Sequence, residues 1–272
     1  MNNISFPNLG ISLNISPVAF TVFSRPVYWY ALIILTGFLL AVLFVTVTCE
    51  KRGIKKENVW DVALYGLVAG IIGARVYYVL FALHEFNSFW EMLQIWNGGL
   101  VIYGGIIGAV ISTAVYCRIK KLNTFAMFDI ACPGLFIGQA IGRFGNFVNA
   151  EVYGGETGSL LGMSINGAPP VHPLFLYEAV WNVIGLAILL SVRDKKKADG
   201  QVFCFYLMWY SVGRFFLEGM RDPAYILYVI PNVFGISQLV AIVLVVVAGV
   251  GIVVLQERAK KKKAVAEAAE EN

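Results

Sequence analysis

The chain has 272 residues, of which 58% are hydrophobic, 14% are charged and 27 are glycine. That balance excludes a soluble enzyme built on one large core and fits an all-α polytopic membrane protein, whose length is used up by spans. The net charge of +4 sits in short basic clusters and is not interleaved with aromatics, so no nucleic-acid partner is indicated. The first 27 residues, with Pro7, Pro17 and Pro26, read as an outward-facing segment along the membrane surface. No basic region precedes an apolar core there, so no cleaved signal peptide is expected. Three windows carry no charge: Tyr28–Thr48, Gly98–Cys117 and Val233–Leu255. Four more carry one or two: Val59–Leu83, Leu122–Gly142, Pro173–Val192 and Gln201–Glu218. Each is close to the ~20 residues that cross ~30 Å of hydrocarbon, which predicts seven transmembrane helices in one integral membrane domain over 1–272.

Basic residues orient these spans. Sixteen of the 21 Lys and Arg lie in Lys51–Lys56, Arg118–Lys121, Arg193–Lys197 and Arg258–Lys263. These are alternate loops and the tail, which places them in the cytoplasm. The N-terminus and the 84–97, 144–172 and 219–232 loops then face outward. The 144–172 loop reads as a small extracytoplasmic head, and 257–272 as a frayed, solvated cytoplasmic tail. Five arginines are left without a topological reason: Arg25, Arg75, Arg143, Arg214 and Arg221.

Glycine spacing predicts how the spans pack. Gly134, Gly138 and Gly142 recur every four residues, and so do Gly66 and Gly70, and Gly104 and Gly108. Small residues at this spacing let helix backbones approach in lipid, where packing replaces the hydrophobic drive. Pro133 is expected to break or kink its span and open a cavity. Cys49, Cys117, Cys132 and Cys204 are scattered in or beside spans, with no C-x-x-C, and His84 is far in sequence from His172. The cysteines read as buried small residues, and no metal site is expected.

The stretch RFGNFVNAEVYG, Arg143 to Gly154, is expected where an apolar helix gives way to a loop. Ionisable groups at membrane depth are expensive and are kept for handling charge. Gln139, Arg143 and Asn146 follow at i, i+4, i+7 and form a polar stripe that must face the bundle interior or a water-filled cavity. Guanidinium offers five donors in a planar fork suited to phosphate oxygens. Asn146 and Asn149 add neutral donors, and Gly154 and Gly155 leave room for a ligand. Two readings stand together here: an anion site, or an arginine neutralised internally by Glu151. A second constellation, Tyr210, Arg214, Glu218 and Arg221, shares one helix face, with both arginines spaced to pair with Glu218. A third, His172 to Glu178, opens a span with a carboxylate whose simplest role is to partner one of the arginines or His172. Tyr28, Trp29 and Tyr30 open the first span, where aromatics anchor. Tyr103 is flanked by Gly99, Gly104 and Gly105, which leaves its hydroxyl accessible.

Taken in order, these residues resemble the prolipoprotein diacylglyceryl transferase family. The run Arg143–Gly154 is similar to its signature, and Tyr28-Trp29-Tyr30, Gly98-Gly99 with Gly104-Gly105, His172-Pro173 through Tyr177-Glu178, and Arg214…Glu218…Arg221 occur in the family's order. The resemblance implies a multi-pass transferase of the bacterial cytoplasmic (inner) membrane, acting in lipoprotein maturation. It would move diacylglyceryl from phosphatidylglycerol to the lipobox cysteine of a prolipoprotein signal peptide and release glycerol 1-phosphate, with no cofactor. It further implies catalytic roles for Arg143, Arg214 and Tyr103. Arg143, Asn146, Gly154, Tyr30 and Tyr210 would contact phosphatidylglycerol, and Glu151, Glu178, Glu218, Arg221 and Gln139 would support the site. Two positions depart from the family: Tyr103 stands where many members have histidine, and Phe175 where glutamine is usual. A tyrosine near its ordinary pKa of ~10 is a poor base at neutral pH, which favours arginine-assisted ionisation of the thiol. A transporter of an anionic metabolite or lipid, or a lipid-binding scaffold without turnover, would use similar arginines.

Overall fold

The computed structural model describes residues 1–230 and 234–270. Its α-helices are α1 (Trp29–Cys49), α2 (Lys56–Phe81), α3 (Phe89–Leu93), α4 (Ile102–Ile119), α5 (Thr124–Asn149), α6 (Leu174–Val192), α7 (Gln201–Glu218) and α8 (Ile236–Glu270). Six of them, α1, α2, α4, α5, α6 and α8, are long and apolar enough to cross a membrane. The 18-residue α7 is not among those six: Arg214, Glu218 and a run of Tyr and Trp dilute its apolar content. The span expected to open at Val233 begins at Ile236, and Val233 itself lies outside the described residues. The helix α8 continues to Glu270 through most of the segment expected to fray, and 271–272 are outside the description.

An all-helical reading is corrected by seven short strands among the described residues: β1 (Asn2–Phe6), β2 (Ile11–Ile15), β3 (Val18–Val22), β4 (Arg25–Tyr28), β5 (Ser164–Ile165), β6 (Tyr228–Ile230) and β7 (Phe234–Gly235). The N-terminal segment over 1–27 is mostly paired strand. In NNISF and ISLNI the apolar residues alternate, so Ile4, Phe6, Ile11, Leu13 and Ile15 share one face when β1 pairs antiparallel with β2. The other edge of β1 pairs with β5, from the 144–172 loop. Ile4 is fully buried beside Met163 and Phe175, with Phe6, Ile15 and Phe147 packed around them. This small core thus draws on both segments. Phe175, the departure from the family's glutamine, is one of its core residues.

The chain folds as two compact units, Val42–Ile130, and Met1–Ala41 with Ala131–Asn272. In the first, α2 and α4 meet backbone to backbone. A Cβ on Gly73, Gly104 or Gly108 would strike the carbonyl oxygen of Gly104, Gly73 or Ala69 respectively. Gly66, expected on that seam, faces open space, and Gly73, not singled out by the four-residue spacing, takes its place. Near the other end Tyr116 donates to Asp61 Oδ2 at 2.7 Å.

In the second unit α5 packs on the start of α1 along the predicted glycine face. A Cβ at Gly142 would lie 3.2 Å from Ile34, and one at Gly145 would lie 2.8 Å from the Tyr30 ring. The helix α5 is continuous through Pro133, so the expected break does not occur. Helices α6 and α7 are clasped by two indoles. Trp181 Nε1 donates to the Trp209 carbonyl at 3.0 Å, and Trp209 Nε1 donates to the Trp181 carbonyl at 3.0 Å. The rings stack with centroids 4.6 Å apart. Gly213 makes room for Trp181, and Gly185 for Trp209. Each helix therefore carries the same Trp-x-x-x-Gly, and the clasp satisfies both indole N–H groups where lipid offers no acceptor. All four cysteines are buried, and none is in a disulfide.

Candidate active site

Arg143 lies in the last two turns of α5, not at its end, because the helix runs on to Asn149. Phe144 and Phe147 extend its apolar face, and both rings pack on Phe175, at 5.8 Å and 4.5 Å. The helix then stops without glycine. Ala150 adopts φ 53, Glu151 N–H donates to the Asn146 carbonyl at 3.0 Å, and Ala150 N–H donates to that of Phe147 at 3.0 Å. This is the 6→1 and 5→2 pair of a Schellman stop, with alanine in the left-handed position where glycine is usual, at a cost of about 1 kcal/mol. The turn folds Glu151 back over the helix end. Its Oε1 accepts from Asn146 Nδ2 at 3.0 Å and Asn149 Nδ2 at 3.4 Å.

Glu151 is therefore not the partner of Arg143; that partner is Glu178, one turn into α6, in an ion pair with Arg143 Nη2. The Glu178 carboxylate is shared. Its Oε1 lies 3.8 Å from Arg214 Nη1 and 3.5 Å from Arg221 Nη2. A second carboxylate, Glu218, lies 2.8 Å from Arg214 Nη2 and 3.2 Å from Arg221 Nε. The Arg221 Nε–H does not point at Glu218, so that contact is Coulombic and not a hydrogen bond. Three guanidiniums surround two carboxylates, which leaves one positive charge. The burial is graded in the same sense. The side chains of Glu218 and Glu178 are 2% and 7% exposed, against 19% for Arg143 and 18% for Arg214. The anions form the floor, Arg143 and Arg214 the accessible side, and Arg221 lies deeper at 10% exposed. Burial and then the neighbouring Arg214 pull the Arg221 guanidinium down from its usual value, while Glu218 and Glu178 hold it up.

The backbone around this cluster explains the Tyr-Gly that ends the signature. Gly154 N–H donates to the His172 carbonyl at 2.9 Å, and Gly155 N–H donates to the Met220 carbonyl at 3.0 Å. Asp222 N–H donates to the Tyr153 carbonyl at 3.2 Å. The segment 153–155 is thus laced between the approach to α6 and the exit of α7, and it ties Arg221 in place. A Cβ at Gly154 would lie 2.6 Å from both His172 Cβ and Met220 O, so the space expected for a ligand there is filled by the chain itself. Gly155 remains open.

The other expected residues sort by contact. Gln139 Nε2 donates to the Tyr206 hydroxyl at 2.7 Å, one turn below Arg143, and Tyr206 stacks on Tyr210 at 6.2 Å. Tyr30 covers Gly145. His172 faces Tyr177, with Nδ1 3.4 Å from the hydroxyl, and takes no part in the Glu178 network. Tyr103 belongs to the other unit, in the first turn of α4 and 36% exposed. The clearance at its neighbours is taken by α2, because Gly99 faces Tyr78 and Arg75, and Gly104 faces Gly73 and Tyr77.

Sequence spacing missed the start of α8. Ser237 Oγ accepts from Arg214 Nη2 at 3.3 Å. Gln238 donates to the Phe215 carbonyl at 3.2 Å and accepts from Gly235 N–H at 3.0 Å, pinning that end of α8 to α7. The only local signal was a polar Ser-Gln pair at the mouth of a very apolar span.

A prolipoprotein diacylglyceryl transferase family model matches residues 17–255. The chain belongs to this family. A phosphatidylglycerol–prolipoprotein diacylglyceryl transferase 1 of Clostridium perfringens is 39% identical over 263 residues, covering 91% of this chain and 97% of its own length. Similarly named transferases of Enterococcus faecalis and Streptococcus uberis are each 40% identical, covering 90% of this chain and 91% and 97% of their own.

Proposed function

We propose that this chain moves the diacylglyceryl group of phosphatidylglycerol to the lipobox cysteine thiol of prolipoproteins, releasing glycerol 1-phosphate, as the first step of bacterial lipoprotein maturation. The observation that carries the reading is the Glu178 carboxylate shared by Arg143, Arg214 and Arg221, with its surplus positive charge on the accessible side. In the reaction the thiol loses its proton to solvent and the thiolate attacks the glyceryl C3. The C–S bond forms as the C–O bond to phosphate breaks, and glycerol 1-phosphate departs as the anion. Arg143 and Arg214 stabilise charge on the departing phosphate, and fixed cations do this best where water is scarce. The same positive field favours the thiolate. Asn146 orients the headgroup from its station beside Glu151, and Tyr30 and Tyr210 line the lipid side. Glu178, Glu218, Glu151, Arg221 and Gln139 hold the arginines and their stripe in place. With the thiolate favoured by that field, the step does not call on Tyr103 as the base. The chain carries this out in the bacterial cytoplasmic membrane with α7 as a seventh span, the N-terminus outside and the C-terminus inside. Prolipoprotein signal peptides and phosphatidylglycerol are its partners.

Purified protein, phosphatidylglycerol and a synthetic lipobox peptide test this. The expected result is a diacylglyceryl mass increment on the peptide, absent from a Cys→Ala peptide, with free glycerol phosphate. Lipid binding by folded protein with neither product would replace transfer by transport or storage.

A further inference from the structure

The hairpin of β3 and β4 buries none of its residues fully among the described residues. It is a separate two-stranded sheet, and every residue from Phe20 to Pro26 is exposed. Isolated two-stranded hairpins are marginal in water. The other N-terminal pair, β1 and β2, is backed by the Ile4 cluster, whereas in this one only Val18, Ala19 and Val27, at the base, are half-buried. Its two-residue turn is stranger still. Phe23 and Ser24 both have positive φ, 47 and 62, the primed turn that Asn-Gly normally makes. A bulky aromatic there is disfavoured by its backbone, and Phe23 is also 98% exposed. Phe20 and Val22 flank it at 50% and 44% exposed. Arg25, paired across from Val22, has no topological duty. The hairpin's base is fixed where α1 begins: Trp29 N–H donates to the Pro17 carbonyl at 2.9 Å. Trp29 and Tyr28 are themselves exposed there, at 45% and 48%.

We propose that the 18–28 hairpin is an interfacial anchor that dips Phe20, Val22 and Phe23 into the bilayer surface beside α1 and sets Arg25 against lipid phosphate. A lipid surface supplies what the hairpin lacks: an apolar medium for the tip, a polar boundary for its strand edges and an anion for the arginine. Exposure of an aromatic at a strained turn then has a physical reason. The inference rests on the reading of α1 as a span.

The test uses the full chain in nanodiscs with an environment-sensitive fluorophore on Ser24→Cys; the native cysteines are buried and leave this the accessible thiol. Lipids carrying a nitroxide at acyl carbon 5 should quench the label at least about twofold more than those with the nitroxide at carbon 12. Adding Phe23→Asn, which tolerates the turn and removes the aromatic, should abolish most of that quenching. A label at Leu39→Cys, exposed within α1, should be quenched most by the deep nitroxide. Quenching at Leu39 without quenching at Ser24 overturns the anchor alone. No quenching at either position overturns the span on which it rests. Quenching or a blue shift at Ser24 that arises only when an apolar signal peptide is added would make the hairpin a peptide contact and overturn the anchor as well.

Discussion

Arg75 and Arg143 are both arginines within apolar helices of a membrane protein, and they are satisfied in opposite ways. Arg75 is 7% exposed and is paired with no carboxylate among the described residues. Its Nε donates to the Met92 carbonyl at 2.8 Å, Nη2 to Glu91 at 2.8 Å, and Nη1 to Gly98 at 2.6 Å and Gly99 at 3.2 Å. The Tyr78 and Phe86 rings lie 5.7 Å and 5.3 Å from its guanidinium carbon. Gly98 and Gly99, at φ 86 and 70, turn their carbonyls inward to it, so its donors are used in holding the 89–101 backbone. Arg143 makes one ion pair, shares that partner with two other arginines and is 19% exposed. The lesson is that a buried arginine marks a site only when its donors are left uncommitted. Carbonyl solvation makes a clamp; a shared carboxylate makes a charged surface.

Removing the shared carboxylate should have the largest effect. Glu178→Gln leaves three guanidiniums without their common partner, and breaking a buried pair in this way costs about 3–5 kcal/mol. Thermal unfolding in detergent should show a large fall, with turnover lost in the protein that remains folded. Arg75→Lys should also destabilise, by about 2–3 kcal/mol, since a point ammonium cannot reach four carbonyls and charged hydrogen bonds contribute about 1.5–3 kcal/mol each. Turnover per folded molecule should stay within about twofold; a selective loss of turnover would put Arg75 in the site and dissolve the contrast.

Arg221→Lys should give the smallest change, visible as a pH effect. Burial and Arg214 lower the charge affinity of that position. A guanidinium starts above ~12 and stays charged, but an ammonium starts near ~10.4 and in the same surroundings loses its proton as pH rises. Activity of the variant should be near the parent's at pH 6–7 and fall toward pH 9, while the parent's does not. Parallel profiles would mean that the charge at 221 is immaterial.

Six of the seven expected spans were legible from apolar length, and the three clustered arginines from their want of a topological reason. The choice of carboxylate was not. Glu151 was one reading of Arg143's partner, and Glu178 was expected on one of the arginines or His172, with the choice left open; the Schellman stop turns Glu151 onto Asn146 and Asn149, and Glu178 arrives from another helix. Helical spacing paired Arg214 and Arg221 with Glu218 correctly, because that relation lies within one helix face and its exit. The strands escaped notice because β1 finds its second partner some 160 residues away, and the five-residue pattern of NNISF alone does not say so. Gly154 was read as clearance for a ligand. Glycine spacing shows that something comes close, and only the fold shows that it is His172 and Met220.

The most direct measurement is single-turnover release of glycerol phosphate by Arg143→Ala, in protein shown to be folded and inserted. If the uncommitted side of that guanidinium stabilises the departing phosphate, the rate should fall at least about 100-fold, the scale of losing one preorganised donor to developing charge. An unchanged rate would contradict the account and reduce Arg143 to a strut for Glu178.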